Sequence, residues 1–326
     1  MQLSREHLER AYRQMKTIRE FEERLHAEIM TGEIAGFTHL YCGQEAVAVG
    51  VCENLTDADY IVSTHRGHGH CIAKGCDVKG MMKEIYGRRD GLGKGKGGSM
   101  HIADINVGML GANGIVGAGA PQAVGAGIAA KLDPRADGTF NVSVTFSGDG
   151  ACNQGTTFEA MNMAVVVKAP VIFVFENNHY SEHTGHDYAV GSKDIARRAE
   201  AFGMKVWRGN GCDFLETYAL MREVVEYVRA GNGPAAVELD TERFFGHFEG
   251  DPQRYRGPGE MERIRAERDC LKIFRDKVTA AGLLGHDVLD AIDTEVLALI
   301  EEATQEARSA PVPTAEDVLT DVYVSY

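Results

Sequence analysis

No C-x-x-C pair occurs among the seven cysteines, Cys42, Cys52, Cys71, Cys76, Cys152, Cys212 and Cys270. Their scatter excludes a disulfide scaffold. Cys71 and Cys76 could share a metal, but no second pair completes a site, so reduced thiols and a cytoplasmic location are expected. Basic charge is scarce too. Lys and Arg number 34 against 48 Asp and Glu, a formal net charge of −14. That leaves no basic face for nucleic acid, and an anionic ligand would need a local positive pocket. No apolar run is long enough to span a membrane. The opening MQLSREHLERAYRQMKTIREFEERL is charged and helical in pattern, unlike a signal peptide. There is no internal repeat, no low-complexity linker and no G-x-x-x-x-G-K-[ST] phosphate loop. What remains is 44% hydrophobic and 25% charged, the composition of a globular enzyme acting on a small molecule.

Apolar residues at Leu8, Tyr12, Met15, Ile18 and Leu25 predict a helix over 4–30, with Ser4 as its N-cap. From 32 to 127 glycine is dense and loops dominate parts of the chain. Beyond that the rhythm changes. Strands are expected at 141–146, 170–176, 204–209 and 235–241, with helices at 156–168, 192–203 and 214–231 between them. Strands alternating with helices mean an α/β fold, a parallel sheet flanked by helices. Residues 260–310 are charged and helical. The organisation expected is one domain over 1–326, with helical extensions at 1–30 and 260–326.

The run VSVTFS ends in Gly148-Asp149-Gly150, so a buried strand delivers a carboxylate between two glycines. In an open parallel sheet, ligands bind beyond the carboxyl ends of the strands. The next predicted strand ends in Asn177-Asn178-His179-Tyr180. If the two strands are neighbours, Asp149 and Asn178 meet there. A carboxylate, an amide oxygen and a backbone carbonyl suit Mg²⁺, which shares its shell with substrate phosphates. Glycines beside Asp149 would let the backbone approach a diphosphate, and the following helix would aim its N-terminus at it. A bare G-D-G also serves as a tight turn whose Asp only caps a helix; the N-N at the end of the next strand is what favours a metal.

These stretches are long enough to carry a resemblance. GDGACNQGTTFEAMNMA and ENNHYSEHTG, with GFTHLYCGQEA (36–46), STHRGHG (63–69), GKGGSMH (95–101) and GANGIVGAG (111–119), resemble the alpha subunits of the thiamine diphosphate-dependent first component of 2-oxo acid dehydrogenase complexes. The likeness runs from about residue 10 to the end. It implies a thiamine diphosphate-binding fold. It implies Mg²⁺ held by Asp149, Asn178 and the Tyr180 carbonyl, with Gly150, Ala151 and Arg66 on the diphosphate. Gly114 and Val116 would wrap the aminopyrimidine end, and His39 would line the site. His65 stands where many relatives carry tyrosine. In RFFGHFEGDP (243–252), His247 matches a functional histidine of the family's H-G-H-S loop, where Phe245 replaces the first histidine and Phe248 the serine. A regulatory phosphoserine is therefore impossible there. The wording of this loop, with THRGHGHCIAKG and GKGGSMHIAD, is nearer the bacterial acetoin-cleaving branch than the pyruvate or branched-chain branch.

Thiamine enzymes need a second α/β half carrying the glutamate that activates the aminopyrimidine. The chain carries the diphosphate half, so the resemblance implies a beta subunit in a heterotetramer of two alpha and two beta chains. A lipoyl acyltransferase would accept the acetyl-level fragment, with His247 as the proton donor and acceptor. Gly93, Gly95 and Gly98 fit G-x-G-x-x-G, but a predicted helix rather than a strand precedes them, so the dinucleotide reading lacks its context. A glycine-rich loop at the active site or a subunit contact is one expectation, a flexible surface loop the other. His65, His68 and His70, then His179, His183 and His186, show no zinc-like spacing. His247 is expected in an exposed, glycine-flanked loop that orders on cofactor binding. Rival readings are a nicotinamide dehydrogenase and a non-catalytic phosphate-binding module.

Overall fold

The computed structural model describes residues 3–323. In chain order the helices and strands are α1 (Arg5–Ile29), α2 (Glu45–Cys52), β1 (Tyr60–Val62), α3 (His68–Lys74), α4 (Val78–Ile85), β2 (Met109–Gly111), α5 (Gly119–Leu132), β3 (Ser143–Gly148), α6 (Gly155–Val167) and β4 (Val171–Asn177). There follow β5 (Tyr180–Ser181), β6 (Thr184–Gly185), α7 (His186–Ala189), α8 (Ala196–Glu200), β7 (Lys205–Asn210), α9 (Phe214–Arg229), β8 (Ala235–Asp240), α10 (Glu260–Glu267), α11 (Cys270–Ala280) and α12 (His286–Ser309). The main sheet runs β2-β1-β3-β4-β8-β7 and every pairing in it is parallel. The fold is therefore α/β, as the alternation requires.

Continuous apolar strands supply both faces of this sheet. Val144, Phe146, Ile172, Val174, Val237 and Leu239 point into one core, which also takes residues of α1, α2, α9, α11 and α12. Val171, Phe173, Phe175 and Ala236 point into a second core under α5 and α6. Both faces are covered, the condition under which strands read as unbroken hydrophobic runs. Ser4 caps α1 by accepting from the His7 amide, and Leu8, Tyr12, Met15, Ile18 and Leu25 are all buried.

One expectation fails locally. The helix expected over 192–203 shrinks to α8: a left-handed Lys193 (φ 57°) excludes its first residues and a left-handed Gly203 (φ 86°) its last. The segment before it holds the hairpin of β5 and β6 and the turn α7. The short strands β1 and β2 are not foreseen, since three residues carry no periodicity. The last three residues of the expected C-terminal extension lie outside the described residues. Among the described residues all seven cysteines are unpaired and buried, and no helix is long and apolar enough to cross a membrane.

Candidate cofactor site

The register of the parallel strands decides where the loops converge. Gly148 of β3 pairs with Glu176 of β4, and Asn177 of β4 pairs with Asp240 of β8. The strands stop together, so the chain leaves each of them at one edge. There a cavity is lined by Thr64, His65 and Arg66 after β1, Asn113, Ile115 and Val116 after β2, Asp149, Gly150 and Ala151 after β3, Asn178 and Tyr180 after β4, and Arg243 and His247 after β8. Nine of the residues singled out in the sequence thus share one cavity. Gly114 sits between two lining residues, and a Cβ there would reach the ring of His101 at 3.9 Å. His39 lies behind the wall, its ring centroid 4.6 Å from that of His65 and 5.0 Å from that of His247.

Asp149 is 1% exposed and its Oδ2 has no hydrogen-bond partner. Burial raises its pKa, against a lowering by a backbone hydrogen bond and by His186, His179 and Arg243. A buried carboxylate oxygen without a partner is costly unless a cation or donor completes it. Asn178 is fixed beside it. Its Nδ2 donates to Gln44 Oε1 at 3.0 Å, and its Oδ1 accepts from the Tyr180 amide at 3.3 Å. A hard dication fits this donor set of carboxylate, amide oxygen and the Tyr180 carbonyl. A Cβ on Gly148 would meet nothing within 4 Å, so the cradle beside Asp149 stays open.

Gly150 also makes room for the hairpin, for a Cβ there would lie 2.1 Å from Ser181 Oγ. Gly150 and Ala151 line the cavity, and a 3₁₀ turn (Ala151–Asn153) precedes α6.

The positive pocket that a −14 chain needs for an anion is supplied by two buried guanidiniums, Arg66 and Arg243. Arg66 donates to the carbonyls of Leu40 and, at 2.8 Å, of His247. Burial and the neighbouring Arg243 bring its pKa down to about 9. Arg243 escaped the sequence reading, although it stands just past β8 as the first residue of RFFGH. It donates to the Tyr255 hydroxyl at 2.7 Å. Tyr255 donates to Asp251 Oδ2 at 2.6 Å, which also accepts the His247 amide at 2.7 Å. The His247 loop is therefore half-buried and tied by these hydrogen bonds, rather than exposed. A Cβ on Gly246 would come within 2.6 Å of Asp251 Cβ, which is why glycine precedes the histidine. Burial, then Arg66 and Arg243, hold the His247 imidazole down to about 3. The same causes act on His65, and His39 falls to about 3.

The three histidines of THRGHGH serve three separate networks. His65 faces the cavity. His68 is fully buried between Glu22 at 3.0 Å and Ser99 Oγ at 2.9 Å. His70 bridges Ser63 Oγ at 2.6 Å to Glu176 at 3.2 Å and stacks on Phe146. Glu176, another cavity residue missed in the sequence, also accepts from the Tyr41 hydroxyl. His179 pairs with Asp240 at 2.7 Å and packs edge-on against His186, and His183 pairs with Glu182.

The glycine-rich loop after α4 is ordered around a carboxylate. Buried Glu84 accepts from the amides of Gly93, Gly95, Gly97 and Gly98 at 2.7–3.0 Å. The amides that would cradle a phosphate in a dinucleotide fold are spent on the chain's own side chain.

Comparison with known proteins agrees with this geometry. The family model described as dehydrogenase E1 component matches residues 13–316. The alpha subunit of acetoin:2,6-dichlorophenolindophenol oxidoreductase from Cupriavidus necator is 54% identical over 324 residues, 99% of this chain and 96% of the relative. The protein of the same description from Bacillus subtilis is 49% identical over 97% of this chain and 93% of its own. The alpha subunit of the pyruvate dehydrogenase E1 component from Rhizobium meliloti is 39% identical, covering 96% and 89%.

Proposed function

The chain belongs to the dehydrogenase E1 component family, and on that premise we propose that it is the alpha subunit of a thiamine diphosphate-dependent E1 that cleaves acetoin. The observation that carries a metal–diphosphate site is the unpartnered, buried Asp149 Oδ2 beside Asn178. Acetoin is favoured over pyruvate by the order of likeness, 54% and 49% identity against 39%. Thiamine diphosphate, when bound, supplies a nucleophilic carbon and an electron sink.

The chain's own groups then have distinct tasks. Asp149, Asn178 and the Tyr180 carbonyl would hold Mg²⁺. The amides of Gly150 and Ala151, with Arg66, would hold the diphosphate, and His65 would border it. Gly114 and Val116 would flank the aminopyrimidine end. His247 would move the substrate's protons: burial and the two guanidiniums keep its imidazole uncharged, and an anionic diphosphate beside Arg66 would raise its readiness to accept one. Acetoin has no carboxylate to expel, so cleavage needs its hydroxyl deprotonated. The alpha-subunit names of the relatives support a beta partner; we take the assembly as two alpha and two beta chains in the cytoplasm, with a lipoyl acyltransferase receiving the acetyl-level fragment.

The test is to co-express the chain with a beta subunit and follow dye reduction with acetoin, pyruvate and a branched 2-oxo acid. Acetoin should be the best substrate. Preference for either 2-oxo acid would move the assignment to that branch of the family. In the same complex His247→Ala should keep cofactor and slow turnover by about 10²–10⁴-fold, with the larger loss on acetoin.

A further inference from the structure

Three imidazoles, one of them the catalytic His247, meet at the cavity wall. They come from three separate segments. The ring nitrogens of His39, His65 and His247 lie within 4.8 Å of one another, with the His65 and His247 centroids 5.2 Å apart. Such spacing suits a transition metal. Charge argues otherwise. The buried guanidiniums of Arg66 and Arg243 both act on His39, His65 and His247, and their field repels a dication. The cluster is a set of uncharged imidazoles, each with one N–H and one lone pair.

That inventory fits the proton traffic of a hydroxyketone. Cleavage between the two oxygen-bearing carbons moves two protons. The carbonyl oxygen gains one as its carbon is attacked. The hydroxyl oxygen loses one as the carbon–carbon bond breaks. Its carbon departs as an aldehyde, and the electron pair of the broken bond stays with the other fragment. Gain and loss cancel, so a single proton can be recycled within the site. We propose that His65 and His247 are a catalytic pair that shares this proton: His65 supplies the carbonyl oxygen and His247 relieves the hydroxyl. The gap between their ring nitrogens is small enough for one water to bridge. His39 packs edge-on against both rings and holds them at this separation. An anionic diphosphate beside Arg66 would offset the guanidinium field and raise the imidazoles' proton affinity toward the working range.

The inference rests on the acetoin reading, and the experiment separates the two. The complex with the beta subunit, saturated with Mg²⁺ and thiamine diphosphate, is assayed by dye reduction on acetoin and pyruvate for wild type, His65→Gln, His247→Gln and the double variant. Cofactor affinity is measured by calorimetry on each. Each single change should lower acetoin turnover at saturating cofactor by about 10²–10³-fold, within the range for one proton-transfer group; His247→Gln should leave cofactor affinity nearly unchanged, while His65→Gln, beside the diphosphate, should weaken it by less than the turnover falls. The double variant should be about as slow as the slower single, since one proton serves both groups. Loss of His65 should also slow pyruvate, whose carbonyl oxygen needs the same proton. Full acetoin turnover in His65→Gln, losses that multiply in the double variant, or a loss explained by weakened cofactor binding would each overturn the pair. A wild-type complex that turns over pyruvate but not acetoin overturns the functional reading itself, before any variant is compared.

Discussion

Asp149 sets function against stability at a single residue. It is buried with one oxygen unpartnered, and its pKa is raised by that burial. Asp149→Asn should therefore stabilise the cofactor-free chain at pH 7 by about 1–2 kcal/mol, the size of an unsatisfied-group penalty, while weakening Mg²⁺-dependent cofactor binding about 10–100-fold, the loss of a charged contact. The sign follows from linkage. A raised folded-state pKa means that the native chain holds a proton more tightly than the unfolded one, so the wild type gains relative to the variant as pH falls. Denaturant midpoints at pH 7 and pH 5 should show the variant's advantage shrinking, and calorimetry should show the affinity loss. An unchanged affinity would remove Asp149 from the site. The imidazoles push the other way. His39 and His247 stay unprotonated down to about 3 in the fold, against 6.5 for an ordinary histidine, so they bind protons only on unfolding. They lower stability as pH falls through that window, and His39→Asn should flatten this part of the profile. Asp149 and Asn178 were legible because each ends a continuous apolar strand. The His39–His65–His247 cluster could not be read from spacing, because its members lie far apart in sequence; the resemblance named each of them, and the fold brings them within 4.8 Å of one another.

At the scale of elements, the glycine-rich loop shows what sequence spacing alone misreads. Glycines at 93, 95 and 98 satisfy a nucleotide-binding pattern, yet their amides turn onto Glu84. The absence of a preceding strand was the correct warning, since α4 stands there. Nothing in the sequence pointed to Glu84, one charged residue on a helix face like any other. Glu84→Ala would leave four amides without their acceptor. It should cost about 2–4 kcal/mol, as breaking charged hydrogen bonds in a buried site does. Hydrogen exchange should speed at Gly93, Gly95, Gly97 and Gly98 before any other element responds. Uniform protection of those amides in the variant would show that the loop needs no buried carboxylate. The strands β3, β4 and β8 read through from sequence because each is a continuous apolar run, although nothing in the sequence placed β8 between β4 and β7; β1 and β2 are too short to announce themselves, and α8 is bounded by left-handed residues at Lys193 and Gly203.

At the scale of the whole molecule, the cavity keeps apolar residues in contact with water. Ile115 and Val116, which line it, are 70% and 44% exposed. On α6 of the same chain Met163 and Val166 are exposed too, although that helix is apolar on average with almost no preferred face. Apolar residues left in water beside a ligand cavity mark a surface that another chain covers. On the E1 reading that chain is the beta subunit, and it brings the glutamate that activates the aminopyrimidine. Isolated alpha chain should accordingly bind Mg²⁺ and thiamine diphosphate, and its melting temperature should rise with them by mass action. It should nevertheless turn over neither acetoin nor pyruvate. Adding purified beta subunit should restore dye reduction in proportion to complex formed, with a mass of two alpha and two beta chains by light scattering. Side-chain footprinting should show Ile115 and Val116 shielded in the complex and open in the free chain. Turnover by the isolated chain would mean that the catalytic glutamate lies within these residues and that the half-site argument is wrong; protection at the mouth without turnover would keep the interface and move the missing group to a third component.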